Sequence, residues 1–246
     1  MDIVEELRQK CPWDMVQTKD TIRHLTIEET YELVDAIIQD DYQEMKVELG
    51  DLLMHMIFYA SLARDDGHFD MADVLETQIN KLIRRHPHIY GDLQGASQEE
   101  IRGNWEKIKA EEKAEKGVKK ISVLDGVPNQ LPSLIKAQRM QEKAASQGFD
   151  WENKEQVWEK VQEEMQEFVT AKSPDEQAAE MGDLLFSLVN YCRFLGINAD
   201  DALSATNHKF KSRFMHVEDR ARESGRNLTD LKLEEMETYW VEAKSK

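Results

Sequence analysis

Five acidic residues stand at helical spacing in the segment KVQEEMQEFVTAKSPDEQAAEMGD, residues 160–183: Glu163, Glu164, Glu167, Glu180 and Asp183. On a helix the first three share one face, and Glu180 and Asp183 repeat the i, i+3 interval. Unpaired carboxylates ~5 Å apart repel by about 3 kcal/mol per pair at an effective dielectric of 20. A cation relieves that repulsion, and a ligand set made of oxygen alone suits Mg²⁺ or Mn²⁺ rather than zinc. The bland alternative is a solvated face, since a chain with 49 acidic residues places glutamates at helical spacing by composition alone.

The elements that must hold these acids follow from local signals. Ser173 is an N-cap, Pro174 fits the first helical position, and Glu176 supplies a carboxylate at N3. The segment therefore reads as a helix, a short turn and an antiparallel helix, each bringing acids to a shared face.

The arrangement occurs twice. Glu28, Glu29 and Glu32, followed by Glu48 and Asp51, repeat it in the first half, and ELGDLL at 48–53 lies over EMGDLL at 180–185 without a gap. Lys81 and Arg85 match Lys209 and Arg213; Trp105 and Lys109 match Trp240 and Lys244. Acid, acid, base and aromatic in the same order twice mark an internal duplication with a period of roughly 130 residues.

The bases suit the acids. Lys209 and Arg213 share a helical face, as do Lys81 and Arg85. Arginine offers a planar fork and lysine a point charge for phosphate oxygens, the alternative being an exposed basic face. Trp240 either stacks on a base or packs, and Lys244 follows one turn later. Lys160 lies one turn before the second set of acids, where the first copy has Leu25.

Composition excludes some classes. The net charge of −17 and the lack of a basic stripe argue against a nucleic-acid partner. The most apolar runs, near 52–62 and 184–195, are too short and interrupted to span a bilayer. Cys11 and Cys192 form neither a disulfide framework nor a metal-spaced pair, and MDIVEELRQK has no apolar signal region, so a cytoplasmic protein is expected.

Periodicity and caps predict an all-α chain. Helices are expected at about 2–9, 20–39, 41–64, 70–86, 97–114, 131–147, 154–171, 174–195, 199–223 and 233–244. Cys11-Pro12-Trp13-Asp14 reads as a packed turn, and Pro87 as a stop. The span 113–130, with Gly117, Gly126 and Pro128 and no apolar stripe, reads as a linker between a first repeat at 1–112 and a second at 131–246. The stripe Met181, Leu184, Leu185, Leu188, Cys192, Leu195, with its counterpart Leu49, Leu52, Leu53, Met56, Ala60, is expected as bundle core and as a face that could pair between subunits.

Beyond these local signals, the chain resembles the long, two-repeat form of the MazG family of nucleoside triphosphate pyrophosphohydrolases. The resemblance rests on CPWD at 11–14, QTKDTIRHLTIEETYELVDAI at 17–37, ELGDLL at 48–53, RHPHIYGD at 85–92, LPSLIKAQRMQEKAASQGFDW at 131–151, EEMQE at 163–167, EMGDLLF at 180–186 and NHKFKSRF at 207–214. It implies two tandem bundles of the all-α NTP pyrophosphatase type, hydrolysis of nucleoside triphosphates to monophosphate and pyrophosphate, Mg²⁺ and a homodimer. By the same resemblance Glu164, Glu167, Glu180 and Asp183 would hold metal, and residues 160–163, Lys209, Arg213 and Trp240 would meet nucleotide; Lys244 is counted with them. Glu163, where it is not a ligand, is the candidate to orient or deprotonate the attacking water. The first-copy set Glu28, Glu29, Glu32, Glu48, Asp51, Lys81 and Arg85 stands as a second site, and the resemblance credits the second copy with the activity. Two other readings stay open: a dUTP-type or phosphoribosyl-ATP pyrophosphohydrolase of the same fold group, and a non-catalytic nucleotide sensor or interaction module.

Overall fold

The computed structural model describes residues 2–91, 97, 100, 101, 104, 108, 112 and 122–244. Among these every regular element is helical, and the chain divides into two units, Met1–Lys119 and Lys120–Lys246.

In the first unit, α1 (Asp2–Lys10) is followed by a 3₁₀ turn at Asp14–Val16, then α2 (Arg23–Ile38), α3 (Tyr42–Asp65), α4 (Met71–Arg85) and the short α5 (Pro87–Tyr90). Helix α2 begins at Arg23, three residues later than its apolar pattern suggests, because Thr18 and Thr21 bond to each other's backbone amides at 2.8 and 3.2 Å and hold a turn there. Asp41 caps α3, and Asp70 and Asp73 form a reciprocal capping box on α4. Pro87 does end α4 but also opens α5, as the first helical position tolerates proline. Ser97 and Glu100 make a capping box at the start of the helix expected from 97; most of the helix beyond it lies outside the described residues.

Helix α2 folds back along α3, and the unit's core gathers Val4, Ile22 and Phe58 with Leu25, Ile57, Tyr59 and Leu62 around them. Charged groups clamp α1 to α3: Arg64 pairs with Glu5 at 2.7 Å, and Arg8 with Asp65 at 2.8 Å. The CPWD segment is a turn but not a packed one, since Trp13 is 55% exposed.

The second unit runs α6 (Ser133–Ala145), α7 (Lys154–Thr170), α8 (Pro174–Phe194), α9 (Ala199–Glu223) and α10 (Leu233–Lys244), with 3₁₀ turns at Val123–Gly126 and Leu228–Asp230. Of the expected linker, residues 113–121 lie outside the described residues. Residues 122–130 belong to the second unit: Ser122 caps the first 3₁₀ turn and Val127 is buried. Asn153 caps α7, Ser173 caps α8, and Asn198 caps α9. Gly148 (φ +82°) and Gly196 (φ +70°) turn the chain out of α6 and α8 in the left-handed region. Helices α7 and α8 form the tightest pair; α6 packs on α8 and α9, and α10 on α9. Val157, Val161, Leu184, Val189, Val217 and Ala221 are buried.

The apolar stripe departs from its expected place. Leu184 is buried, but Leu185 on the same helix is 49% exposed, and Leu49, Leu53 and Met56 on α3 are each more than half exposed. Each stripe is wider than the surface that its own unit's helices cover, so it is core on one edge and open on the other.

Candidate active site

The α7–α8 hairpin delivers the acids. Asn153 and Ser173 fix where each helix starts, and with it the rotation at which its carboxylates emerge. Oxygens of Glu164, Glu180 and Asp183 all lie within 4.8 Å of one another, with Glu164 buried, Glu180 half-buried and Asp183 exposed. Glu167 stands outside this triad yet within electrostatic reach of it. Burial, then the charges of Glu167, Asp183 and Glu164, push the Glu180 carboxyl above its ordinary value.

The first unit holds a matching triad, Glu29, Glu48 and Asp51, within the same 4.8 Å. Glu48 is 3% exposed, and its Oε2 has no hydrogen-bond partner. Burial pushes its carboxyl up to about 7, helped by a hydrogen bond with Glu29 and by the charges of Glu32, Glu29 and Glu44. Glu32 is raised as well, by burial and then by Glu29 and Glu28. A buried carboxylate with one orphaned oxygen, and two more carboxylates within 4.8 Å of it, suits a cation by its donor chemistry.

Both triads fit a hard divalent cation by donor type, and opposite oxygens around Mg²⁺ stand about 4 Å apart, close to what the side chains already span. Their surroundings differ. Lys160 Nζ lies 2.7 Å from Glu164 and 3.0 Å from Glu163, whereas position 25 in the first copy is a half-buried leucine beside the core. Arg85 is held by Glu112, Nε to Oε1 at 3.2 Å with a second contact through its terminal nitrogen. Arg213, its counterpart, makes no carboxylate pair among the described residues and instead sits 5.9 Å over the Trp240 ring. Phe210 tilts against Trp240 at 5.1 Å and stacks with Phe214 at 6.1 Å, lining a cavity of about 290 Å³ with Val217, Leu233 and Met236. Lys209 and Lys244 are exposed, one on α9 and one at the end of α10. Among the described residues Lys81 bonds only Gln78, at 3.4 Å. Trp105 and Lys109 lie outside the described residues.

Pattern reading assigned no role to one further cluster. Gln141 donates to the Phe186 carbonyl at 2.8 Å, and Arg193 forks onto Asp150 at 2.9 and 2.5 Å. These residues, with Asn190 and Trp151, line a cavity of about 470 Å³ beside α8. Its signal in the sequence is a pair of polar residues, Asn190 and Arg193, one turn apart in an apolar helix.

Comparison with known proteins follows the duplication. Residues 17–90 match the model of the MazG nucleotide pyrophosphohydrolase domain, and residues 129–209 match that of phosphoribosyl-ATP pyrophosphohydrolase. The chain is 43% identical to the nucleoside triphosphate pyrophosphohydrolase/pyrophosphatase MazG of Thermotoga maritima, covering 99% of this chain and 94% of that protein. It is 42% identical to a nucleoside triphosphate pyrophosphohydrolase of Escherichia coli K12, over 99% of this chain and 95% of the other. It is also 44% identical to half of the uncharacterized protein YabN of Bacillus subtilis. Two acid triads on helical hairpins, repeated in one chain and matched end to end by such relatives, leave one assignment: the chain belongs to the MazG family of nucleotide pyrophosphohydrolases.

Proposed function

We propose that the chain hydrolyses nucleoside triphosphates of broad base specificity to monophosphate and pyrophosphate at the α7–α8 hairpin, with Mg²⁺ or Mn²⁺ held by Glu164, Glu180 and Asp183 and by Glu167 beside them. The observation that carries this reading is the convergence of three carboxylates within 4.8 Å next to a lysine. A divalent cation bound there supplies charge neutralisation for the polyphosphate and lowers the pKa of water. Glu163, exposed beside the triad, orients the water that attacks the α-phosphorus and takes its proton. The oxygen of that water ends in the monophosphate, and the β,γ unit leaves as pyrophosphate. Lys160, Lys209 and Arg213 neutralise charge on the phosphates, and Trp240, with Lys244 beyond it, borders the nucleotide.

The first copy reads as a folded partner with weak or no turnover. Its triad is intact, but Arg85 is engaged by Glu112, and no lysine faces the acids at position 25. The open edges of the α3 and α8 stripes support a homodimer that covers them. Among the described residues no helix is long and apolar enough to cross a membrane, and Cys11 and Cys192 are free thiols, which supports a cytoplasmic location. Similarity of residues 129–209 to phosphoribosyl-ATP pyrophosphohydrolase supports the same type of bond cleavage and makes that nucleotide worth including as a substrate.

The test is a panel of NTPs, dNTPs and phosphoribosyl-ATP with Mg²⁺ in ¹⁸O-water. Pyrophosphate release, label in the monophosphate and loss of turnover in EDTA are expected. Orthophosphate as the primary product, or full activity in excess EDTA, overturns the reading.

A further inference from the structure

Among the described residues Lys160 carries the one positive charge that touches the second triad. Its ammonium bonds Glu164, a buried member of the triad, at 2.7 Å and the exposed Glu163 at 3.0 Å. Among the described residues no other Lys, Arg or His lies within ion-pair distance of Glu164, Glu180 or Asp183. The i, i+4 register on α7 makes the contact possible, and the flexible four-carbon stem, about a third exposed, leaves the ammonium able to swing away without disturbing the helix.

From this geometry we infer that Lys160 is the resident counter-ion of the metal-free site and exchanges Glu164 for phosphate when a divalent cation arrives. This rests on the triad being the metal site. A cation approaching Glu164 meets a charge of its own sign already seated there, so metal alone binds weakly. A polyphosphate offers the displaced ammonium a new partner of the same hardness, so metal and nucleotide bind tightly together. The coupling is reciprocal: whatever factor nucleotide adds to metal affinity, metal adds to nucleotide affinity. Lys160 thus makes the site respond to the metal–nucleotide complex rather than to free cation. The first triad, with leucine at the matching position, lacks the device.

The experiment is a Mn²⁺ titration followed by electron paramagnetic resonance, on the full chain carrying Glu29→Ala and Asp51→Ala so that one triad is read. Lys160→Met and Lys160→Gln are compared with Lys160→Arg and with the unchanged lysine, with and without an α,β-methylene nucleotide. Without nucleotide, the two neutral variants should bind Mn²⁺ at least about tenfold tighter, the size of a charge-assisted hydrogen bond. The nucleotide should add at least about tenfold less to their metal affinity than it adds with the lysine in place. Lys160→Arg should keep both the weak metal binding and the coupling. In turnover the neutral variants should show a raised KM with a smaller change in kcat. Equal or weaker Mn²⁺ binding by both neutral variants overturns the exchange, as does failure of every form to bind Mn²⁺. Were the chain to release orthophosphate from NTPs, the hydrolytic reading would fail, and the Mn²⁺ titration would still decide the exchange.

Discussion

The two acid triads are built from the same residue types, two glutamates and an aspartate three residues after the second, and they meet the same repulsion in different surroundings. In the second, Lys160 sits on Glu164, and burial with the neighbouring charges pushes the Glu180 carboxyl above its ordinary value. In the first, the matching position is Leu25, and Glu48 is pushed towards protonation, to about 7. The basic ends diverge in parallel: Arg213 faces an aromatic ring, while Arg85 is engaged by a carboxylate of its own unit. The same acids therefore stand in two different settings. What surrounds them differs: a lysine seated on a buried glutamate in the second, and a leucine with a buried glutamate pushed up to about 7 in the first.

The comparison breaks most visibly in a pair of double variants. Glu164→Ala/Asp183→Ala should lower kcat by at least ~10²-fold, the usual loss for an essential electrostatic group, with the helices intact by circular dichroism. Glu29→Ala/Asp51→Ala should stay within about threefold of the unchanged chain, as groups outside the reacting site do. Reversed results on the same NTP would move catalysis to the first copy, and equal halving would mean that both work.

A smaller contrast is expected at the arginines. Arg213→Ala should cost roughly tenfold in kcat/KM, the worth of one charge-assisted contact to phosphate, chiefly through KM. Arg85→Ala should leave kcat/KM nearly unchanged and instead lower the melting temperature of the first unit by stranding Glu112. Comparable losses in kcat/KM for both would erase the distinction drawn between the two ends.

The smallest effect concerns protons. Folding raises the Glu48 carboxyl from about 4.5 to about 7, so between those values the folded first unit binds more protons than the unfolded chain. Its metal-free stability should then fall as pH rises through that window. Glu48→Gln should flatten the slope, measured by urea unfolding in EDTA from pH 4.5 to 7.5. An unchanged slope in the variant would show that Glu48 does not carry the pH dependence.

Helix boundaries were largely legible because the signals that set them are local. Ser173-Pro174, the Asp70 cap and the glycines at 67, 148 and 196 act within one turn of where they stand, and each ends or begins a helix. The late start of α2 escaped because two threonines outcompeted the helix for their own backbone. The triads were legible in kind, since spacing dictates which carboxylates share a face. Their partners were not. Glu112 meets Arg85 across 27 residues, and the choice of Lys160 to pair with Glu164 depends on side-chain rotamers that spacing permits without requiring. The apolar stripes were read as core because periodicity reports a face and says nothing of what lies against it.

One further consequence follows from the shortness of the α7–α8 hairpin. Its connection is only Ala171-Lys172-Ser173, so every carboxylate of the site lies on one continuous stretch closed by a tight loop, with little entropy to lose in bringing the ends together. A site assembled from distant segments is broken by most rearrangements of a gene. This one travels whole, so a single copying event yields a second hairpin with all its carboxylates already in register and free to diverge at its edges.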